Sequence, residues 1–274
     1  LLVEILKEHF QNDYRMEQIL SRLAEGNVTL SGLAGSAPSF VIAALLENNV
    51  KMVCILESEE KATSLCEDLN ELVASDLVAH WPELGAQIFG DLGPPKSTVG
   101  RRISALRRIL DKNASVVVST GRALFEKTAE REDVLLYRLD LHRGHTVPFE
   151  PFIQQLIEMG FSREERVDTP GELSVRGGIV DLFLFEDEFP IRLEFFGDEI
   201  QSIRRFDCET QRSVEQCDKI DVLPLSCAGP YAPLHEKTLH DLELDSTILE
   251  YLQDDFVLWL EHKNRIVQNI TDME

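Results

Sequence analysis

The stretch from Thr169 to Asp207, TPGELSVRGGIVDLFLFEDEFPIRLEFFGDEIQSIRRFD, limits what this chain can fold into more than any other. Turn signals at Gly177-Gly178, at Glu186-Asp187-Glu188 with Pro190, and at Gly197-Asp198 cut it into short strands joined by tight connections. Period two sorts the third strand: Ile191, Leu193 and Phe195 point one way, Arg192, Glu194 and Phe196 the other. The first set is an ordinary core face. The second places a large aromatic beside an arginine and a glutamate, and aromatic and arginine side chains dominate binding hot spots. The competing reading is that Phe196 is covered by another element and that the charges are merely solvated.

Upstream the rhythm differs. Residues 1–25 carry two amphipathic stripes, Leu2, Ile5, Leu6 and Phe10, then Met16, Ile19, Leu20 and Leu23, broken near Asn12-Asp13 and stopped by Gly26. This predicts a helical segment over 1–27. From 28 to 134 strands alternate with helices: strand 28–30, a loop from Gly32 to Ser39, helix 40–47, buried strand 52–56, and a long helix from Ser58 to 74. Strand 87–89, helix 100–111, strand 116–119 and a short helix after Gly121 follow. Such alternation predicts a parallel, helix-covered sheet. Near Leu135 the pattern becomes strand-rich, with 135–141 strand-like, 150–159 a short helix, and a last strand over 220–223. We expect an α+β unit over 135–224 inserted into the first, an exit linker at 224–233, and a return within 225–274 as helix then buried strand (256–260).

The net charge of −22, from 49 acidic and 27 basic residues, repels a phosphate backbone and favours a protein partner. No run approaches a membrane span, and no signal-peptide pattern is present. Cys54, Cys66, Cys208, Cys217 and Cys227 are odd in number and lack a C-x-x-C pair. That usage points to a reducing compartment, hence a cytoplasmic location, and away from a disulfide or zinc framework. The chain opens without a methionine, so we expect a piece of a longer protein.

The runs GELSVRGGIVDLF and IRLEFFGDEIQSIRRFD resemble the inserted domain shared by the repair helicase UvrB and the bacterial transcription-repair coupling factors. The resemblance implies a docking surface for UvrA, the damage-recognition ATPase. It places the docking residues at Arg176 in SVRGG and at Arg192, Glu194 and Phe196 in IRLEFF. The arginine that UvrB usually carries two residues before the one matching Arg176 is replaced here by Ser174.

A phosphate-binding loop needs G-x-x-x-x-G-K-[ST], in which glycines turn backbone N–H groups toward the phosphates and lysine neutralises them. The loop after the first predicted strand reads Gly32-Leu33-Ala34-Gly35-Ser36-Ala37-Pro38-Ser39. Against the UvrB pattern Ala37 replaces the last glycine and Pro38 the lysine, which removes a charge and an N–H donor. The Asp-Glu pair that should hold magnesium becomes Glu261-His262. The resemblance therefore implies a degenerate nucleotide site at Gly32, Gly35, Ala37, Pro38, Ser39, Glu261 and His262. It implies no catalytic residue, metal or cofactor in this chain, ATP and magnesium being expected only in translocase domains of the full-length family member.

The aromatic hairpin with which UvrB probes damaged DNA has no counterpart in the aromatic-free stretch 91–98. Degenerate loop, missing hairpin and intact inserted domain together resemble the amino-terminal region of the coupling factors. The implied fold is α/β, a RecA-like parallel-sheet domain with an inserted strand-rich α+β domain. The implied function is a non-catalytic module that recruits UvrA to start nucleotide excision repair at stalled RNA polymerase. Polymerase and DNA would bind through domains outside this chain, and another domain would mask the docking face in the resting protein. The alternatives are a nucleotide hydrolase or helicase half, and a DNA-binding domain. Three further features read as structural: His142 and His145 as a surface loop, Arg101, Arg102, Arg107 and Arg108 as the solvated side of a helix, and Glu186-Asp187-Glu188 as a hairpin tip.

Overall fold

A computed structural model describes residues 2–85, 94–228, 246–252 and 256–271. The chain opens with helices α1 (Leu2–Gln11) and α2 (Tyr14–Glu25), separated where the Asp13 carboxylate caps α2 by accepting from the Arg15 N–H. Next come α3 (Ala37–Glu47), β1 (Met52–Leu56), α4 (Glu59–Leu72), β2 (Val78–Trp81), α5 (Lys96–Leu110), β3 (Val116–Thr120) and α6 (Gly121–Phe125). Then follow β4 (Lys127–Thr128), α7 (Arg131–Tyr137), β5 (Leu139–His142), α8 (Phe149–Glu158), β6 (Ser162–Arg163), β7 (Glu172–Arg176), β8 (Ile179–Leu182), β9 (Ile191–Phe196) and β10 (Glu199–Phe206). The remainder is β11 (Ser213–Cys217), β12 (Lys219–Val222), β13 (Ser246–Thr247), α9 (Ile248–Tyr251), β14 (Val257–Leu260) and α10 (Lys263–Thr271).

These elements form two compact units, the first from Leu1–Glu83, Arg108–Leu124 and Leu252–Glu274, the second from Leu84–Arg107 and Phe125–Tyr251. In the first, four parallel strands run in the order β14-β1-β3-β2. Every residue of β1 is buried, as a helix-covered parallel strand requires. Ile42, Leu45 and Val41 of α3 and Leu65 and Leu69 of α4 pack with Met52, Cys54, Val116 and Val118 in one core. The second unit is built on a six-stranded sheet, β11-β10-β9-β8-β7-β6, antiparallel except where β6 meets β7. The architecture is α/β, a parallel sheet accompanied by a mixed, strand-rich one.

Several expectations need correction. Residues 28–30 form no strand; they lie between Gly26 at φ 152° and Gly32 at φ 79°, which leaves too short an extended run to build a ladder. The strand expected over 87–89 lies outside the described residues, whereas β2 supplies the sheet edge. Residues 131–137 are helical, with Glu132 and Asp133 in the first turn complementing the helix dipole, so only 139–141 of the expected strand 135–141 falls in β5. Strand β14 is not buried: it alternates, with Leu258 and Leu260 exposed.

The expected boundaries at 135 and 224 both fall inside the second unit. Thr128 Oγ1 donates to the Cys227 carbonyl at 2.5 Å, and Tyr251 Oη to the Ala129 carbonyl at 2.6 Å, tying both flanks into it. The start of the expected exit linker is thus core, with Leu225, Cys227 and Ala228 buried.

The arginine row of α5 is not a solvated face. Arg102 is fully buried, donating to the Ala228 carbonyl at 3.0 Å and to Glu126. Arg107 bridges Asp221 and Glu186, and Arg108 donates to the Ser75 carbonyl at 2.8 Å. Only Arg101 of the four is exposed. Glu186 and Asp187 are therefore anchors, paired with Arg107 and Arg205, and Glu188 alone is exposed. Burial raises the pKa of the Glu186 carboxyl, against the pull of the Arg107 guanidinium.

Gly100, inside α5, meets the backbone carbonyl of Phe185 where a Cβ would stand. Alanine in a helix interior ordinarily gains about 1 kcal/mol over glycine. Here the clash is with backbone, so Gly100→Ala is expected to destabilise by about 1–3 kcal/mol. Chemical denaturation of the variant checks this, and a rise in stability contradicts the packing described.

Candidate functional site

The four residues of the expected docking face do lie on one side of the six-stranded sheet, but in different environments. Strand β9 splits its two phenylalanines. Phe195 turns inward onto Phe149 and Phe152 of α8, at centroid distances of 5.1 and 5.6 Å. Phe196, the last residue of the strand before Gly197 at φ 60°, is 81% exposed. Among the described residues no other element covers it, so the reading of Phe196 as a core residue does not hold.

Arg192 is the opposite case. Its side chain is 11% exposed and lies opposite Asp181 of β8 in the strand register. Nε donates to Asp181 Oδ1 at 2.6 Å, and Nη2 donates to Asp181 Oδ2 and to Gln211 Oε1, both at 2.8 Å. Its guanidinium carbon stands 4.1 Å from the centroid of the Phe206 ring, a cation–π contact. The Asp181 hydrogen bond and charge raise its pKa, locking in the cation. Arg192, expected among the docking residues, thus has Nε and Nη2 engaged inside the sheet.

Asp181 is the residue that sequence reasoning missed. Its side chain is 2% exposed and also accepts from Arg176 Nη2 at 2.6 Å. Arg176, on β7, is 47% exposed, so one nitrogen is tethered while the group reaches the surface. A lone carboxylate inside the apolar run Ile179–Leu182 was the available signal, since an unpaired buried aspartate is rare. Ser174, opposite Asp181, is buried and donates to the Glu165 carbonyl at 2.8 Å. Glu194 accepts from Ser202 Oγ and from Arg204 Nη2, both at 2.6 Å.

The residues expected at the nucleotide loop come together only in part. Gly32, Pro38, Glu261 and His262 line one cleft of about 350 Å³, with the 28–33 segment on one side and β14 on the other. Gly35 keeps a positive φ of 57°, as a phosphate loop would, but does not line the cleft, nor does Ala37. Pro38 sits in the first turn of α3, where a missing N–H costs nothing. Ser39 is buried and donates to Asp68 Oδ2 at 2.8 Å, away from the cleft. Glu261 lies 4.0 Å from Lys61 Nζ and 3.9 Å from His262 Nε2.

His142 and His145 stack with centroids 4.5 Å apart, and among the described residues no group of three or more His, Cys, Asp or Glu is placed to hold a metal. Nor is any helix among them long and apolar enough to cross a membrane.

Comparison with known proteins bears on the same region. Residues 139–227, which include the whole Asp181 network, match the family model described as the UvrB interaction domain. The transcription-repair-coupling factor of Bacillus subtilis (strain 168) is 30% identical over 225 residues, covering 76% of this chain and 18% of that protein. The chain belongs with the UvrB-homology region of the transcription-repair-coupling factors. The Mycobacterium bovis coupling factor is 29% identical over 218 residues, 77% of this chain and 18% of its own length. That of Staphylococcus haemolyticus is 26% identical over 225 residues, 81% and 19% respectively. The chain thus spans roughly a fifth of the coupling factors it matches, and the stretch of closest interest is its interaction domain.

The hydrogen bond from Ser202 and the charge of Arg204 hold the Glu194 carboxyl below the usual glutamate range. A depressed folded-state pKa contributes stability that is present above the unfolded value and lost as pH falls through the folded one. An NMR titration of the Glu194 carboxyl carbon should therefore show its midpoint below that of an ordinary glutamate, and Ser202→Ala should raise it. A midpoint unmoved by the substitution contradicts this assignment.

Proposed function

We propose that this region is a non-catalytic protein-binding module that recruits UvrA, so that excision repair begins where RNA polymerase has stalled. The observation that carries the reading is Phe196. It is a large aromatic, 81% exposed, at the end of a strand whose preceding polar residues are held by ordered ion pairs. Exposed aromatic area on the same sheet face as a tethered arginine is the composition of an interaction hot spot. The match of this stretch to a UvrB interaction domain supports a partner of the UvrA type.

The first unit, in this reading, is a RecA-like domain with a degenerate nucleotide site. Pro38 stands where a lysine would neutralise phosphate, and the hydroxyl of Ser39 is committed to Asp68. RNA polymerase and DNA are contacted by other parts of a longer, cytoplasmic, ATP-dependent translocase, and the docking face is masked in its resting state. The net charge of −22 supports a protein partner for this region over a nucleic acid.

Phe196→Ala should weaken binding to purified UvrA at least tenfold, a central anchor of this kind typically contributing about 2–4 kcal/mol. Because the ring is exposed, the melting temperature should not move. Unchanged affinity would place the docking site elsewhere. Titration of the chain with magnesium and ATP in a calorimeter should show no binding heat at millimolar nucleotide. Saturable binding with hydrolysis would restore the enzyme reading.

A further inference from the structure

The Asp181 cluster contains one carboxylate and two arginines, and the three are not equivalent. We infer that Asp181 is a positioning residue for docking: it fixes the Arg176 guanidinium at the surface, and Arg192 acts through Asp181, not by touching the partner. This rests on the UvrA-docking reading above.

The geometry assigns the roles. Asp181 presents both oxygens to the polar face of the sheet: Oδ1 receives Arg192 Nε, and Oδ2 is shared between Arg192 Nη2 and Arg176 Nη2. Arg192 is fixed on three sides, by Asp181, by the Gln211 side chain and by the Phe206 ring, and is nearly buried. It cannot swing outward without leaving a buried carboxylate half-paired. Arg176 holds to the same carboxylate through one nitrogen and stays half exposed, so it is the cation that can reach an acidic group on a partner. Long side chains lose rotamer freedom on binding, and a guanidinium already held in place loses less. Arg192 in turn fixes the carboxylate that does the holding. Loss of Asp181 would leave two adjacent guanidinium groups repelling each other, and Arg176 free to wander over the surface.

The test is a double-mutant cycle on affinity for purified UvrA, with thermal melting of each variant measured alongside. Asp181→Asn and Arg176→Ala should each weaken binding about tenfold. Combined, they should be little worse than Arg176→Ala alone, because Asp181 acts through Arg176. Losses that multiply to about a hundredfold overturn the inference, as does full affinity in Asp181→Asn. Should Asp181→Asn unfold the sheet, Asp181→Asn with Arg192→Met removes the buried charges together and keeps the volume filled. That folded variant should still bind weakly, and Arg176→Ala should then add little; full affinity in it overturns the inference. Phe196→Ala is the control: if it too binds UvrA normally, the docking reading itself is wrong, whereas a weakened Phe196→Ala beside a normal Asp181→Asn removes only the role of Asp181.

Discussion

The polar face of the second unit depends on one buried carboxylate. An aspartate as enclosed as Asp181 is costly to desolvate, and it is stable here because Arg192 and Arg176 reach it from the strands on either side. Removing one partner of such a group typically costs about 3–5 kcal/mol, because the other charge is left buried and unpaired. The pairing also specifies structure. Asp181 and Arg192 stand directly opposite in the β8–β9 ladder, so a one-residue slip would send a charge into the apolar layer of Leu193 and Val180. The same contact that holds the strands in step thus decides which arginine stays inside and which meets solvent.

The first unit achieves order by different means. Strand β1 is apolar throughout and lies between β14 and β3, and α3 and α4 pack against that sheet. At the edge the order stops. The 28–33 segment approaches β14 across a cleft without forming a ladder with it, and α3 begins with a proline in its first turn. That turn is built to start a helix. A loop that wraps a phosphate needs free N–H groups and a cation, whereas this turn opens with Ala37 and Pro38.

Much of this was legible in the sequence, for reasons that differ by element. The strands of the 169–207 stretch follow from glycine turns and period-two patterning, and their inner and outer faces from simple alternation. The helix break at Asp13 was legible because a capping residue marks it. The helix over 131–137 was not, since Leu135, Leu136 and Tyr137 in a row look like strand, and Leu136 is left 73% exposed. In the sequence Arg102, Arg107 and Glu186 look like surface, because a charge carries no sign of which distant residue will pair with it. The same blindness hid Asp181, and with it the fact that Arg192 is held inside. Alternation places a residue on a face; only tertiary register says whether its charge is already taken.

The inward turn of Phe195 and the outward turn of Phe196 have a consequence for how this surface can change over generations. A single-residue exchange at Phe196 alters what the sheet presents and leaves untouched the aromatic packing of Phe195 on Phe149 and Phe152. What this face presents to solvent can therefore drift without disturbing the interior. A one-residue insertion or deletion at the start of β9 is another matter, because it would trade the two rings and send Arg192 toward the core at once. Phe196 is permissive to substitution while the strand is closed to changes in length, so the exposed end and the interior can change at separate rates within six consecutive residues.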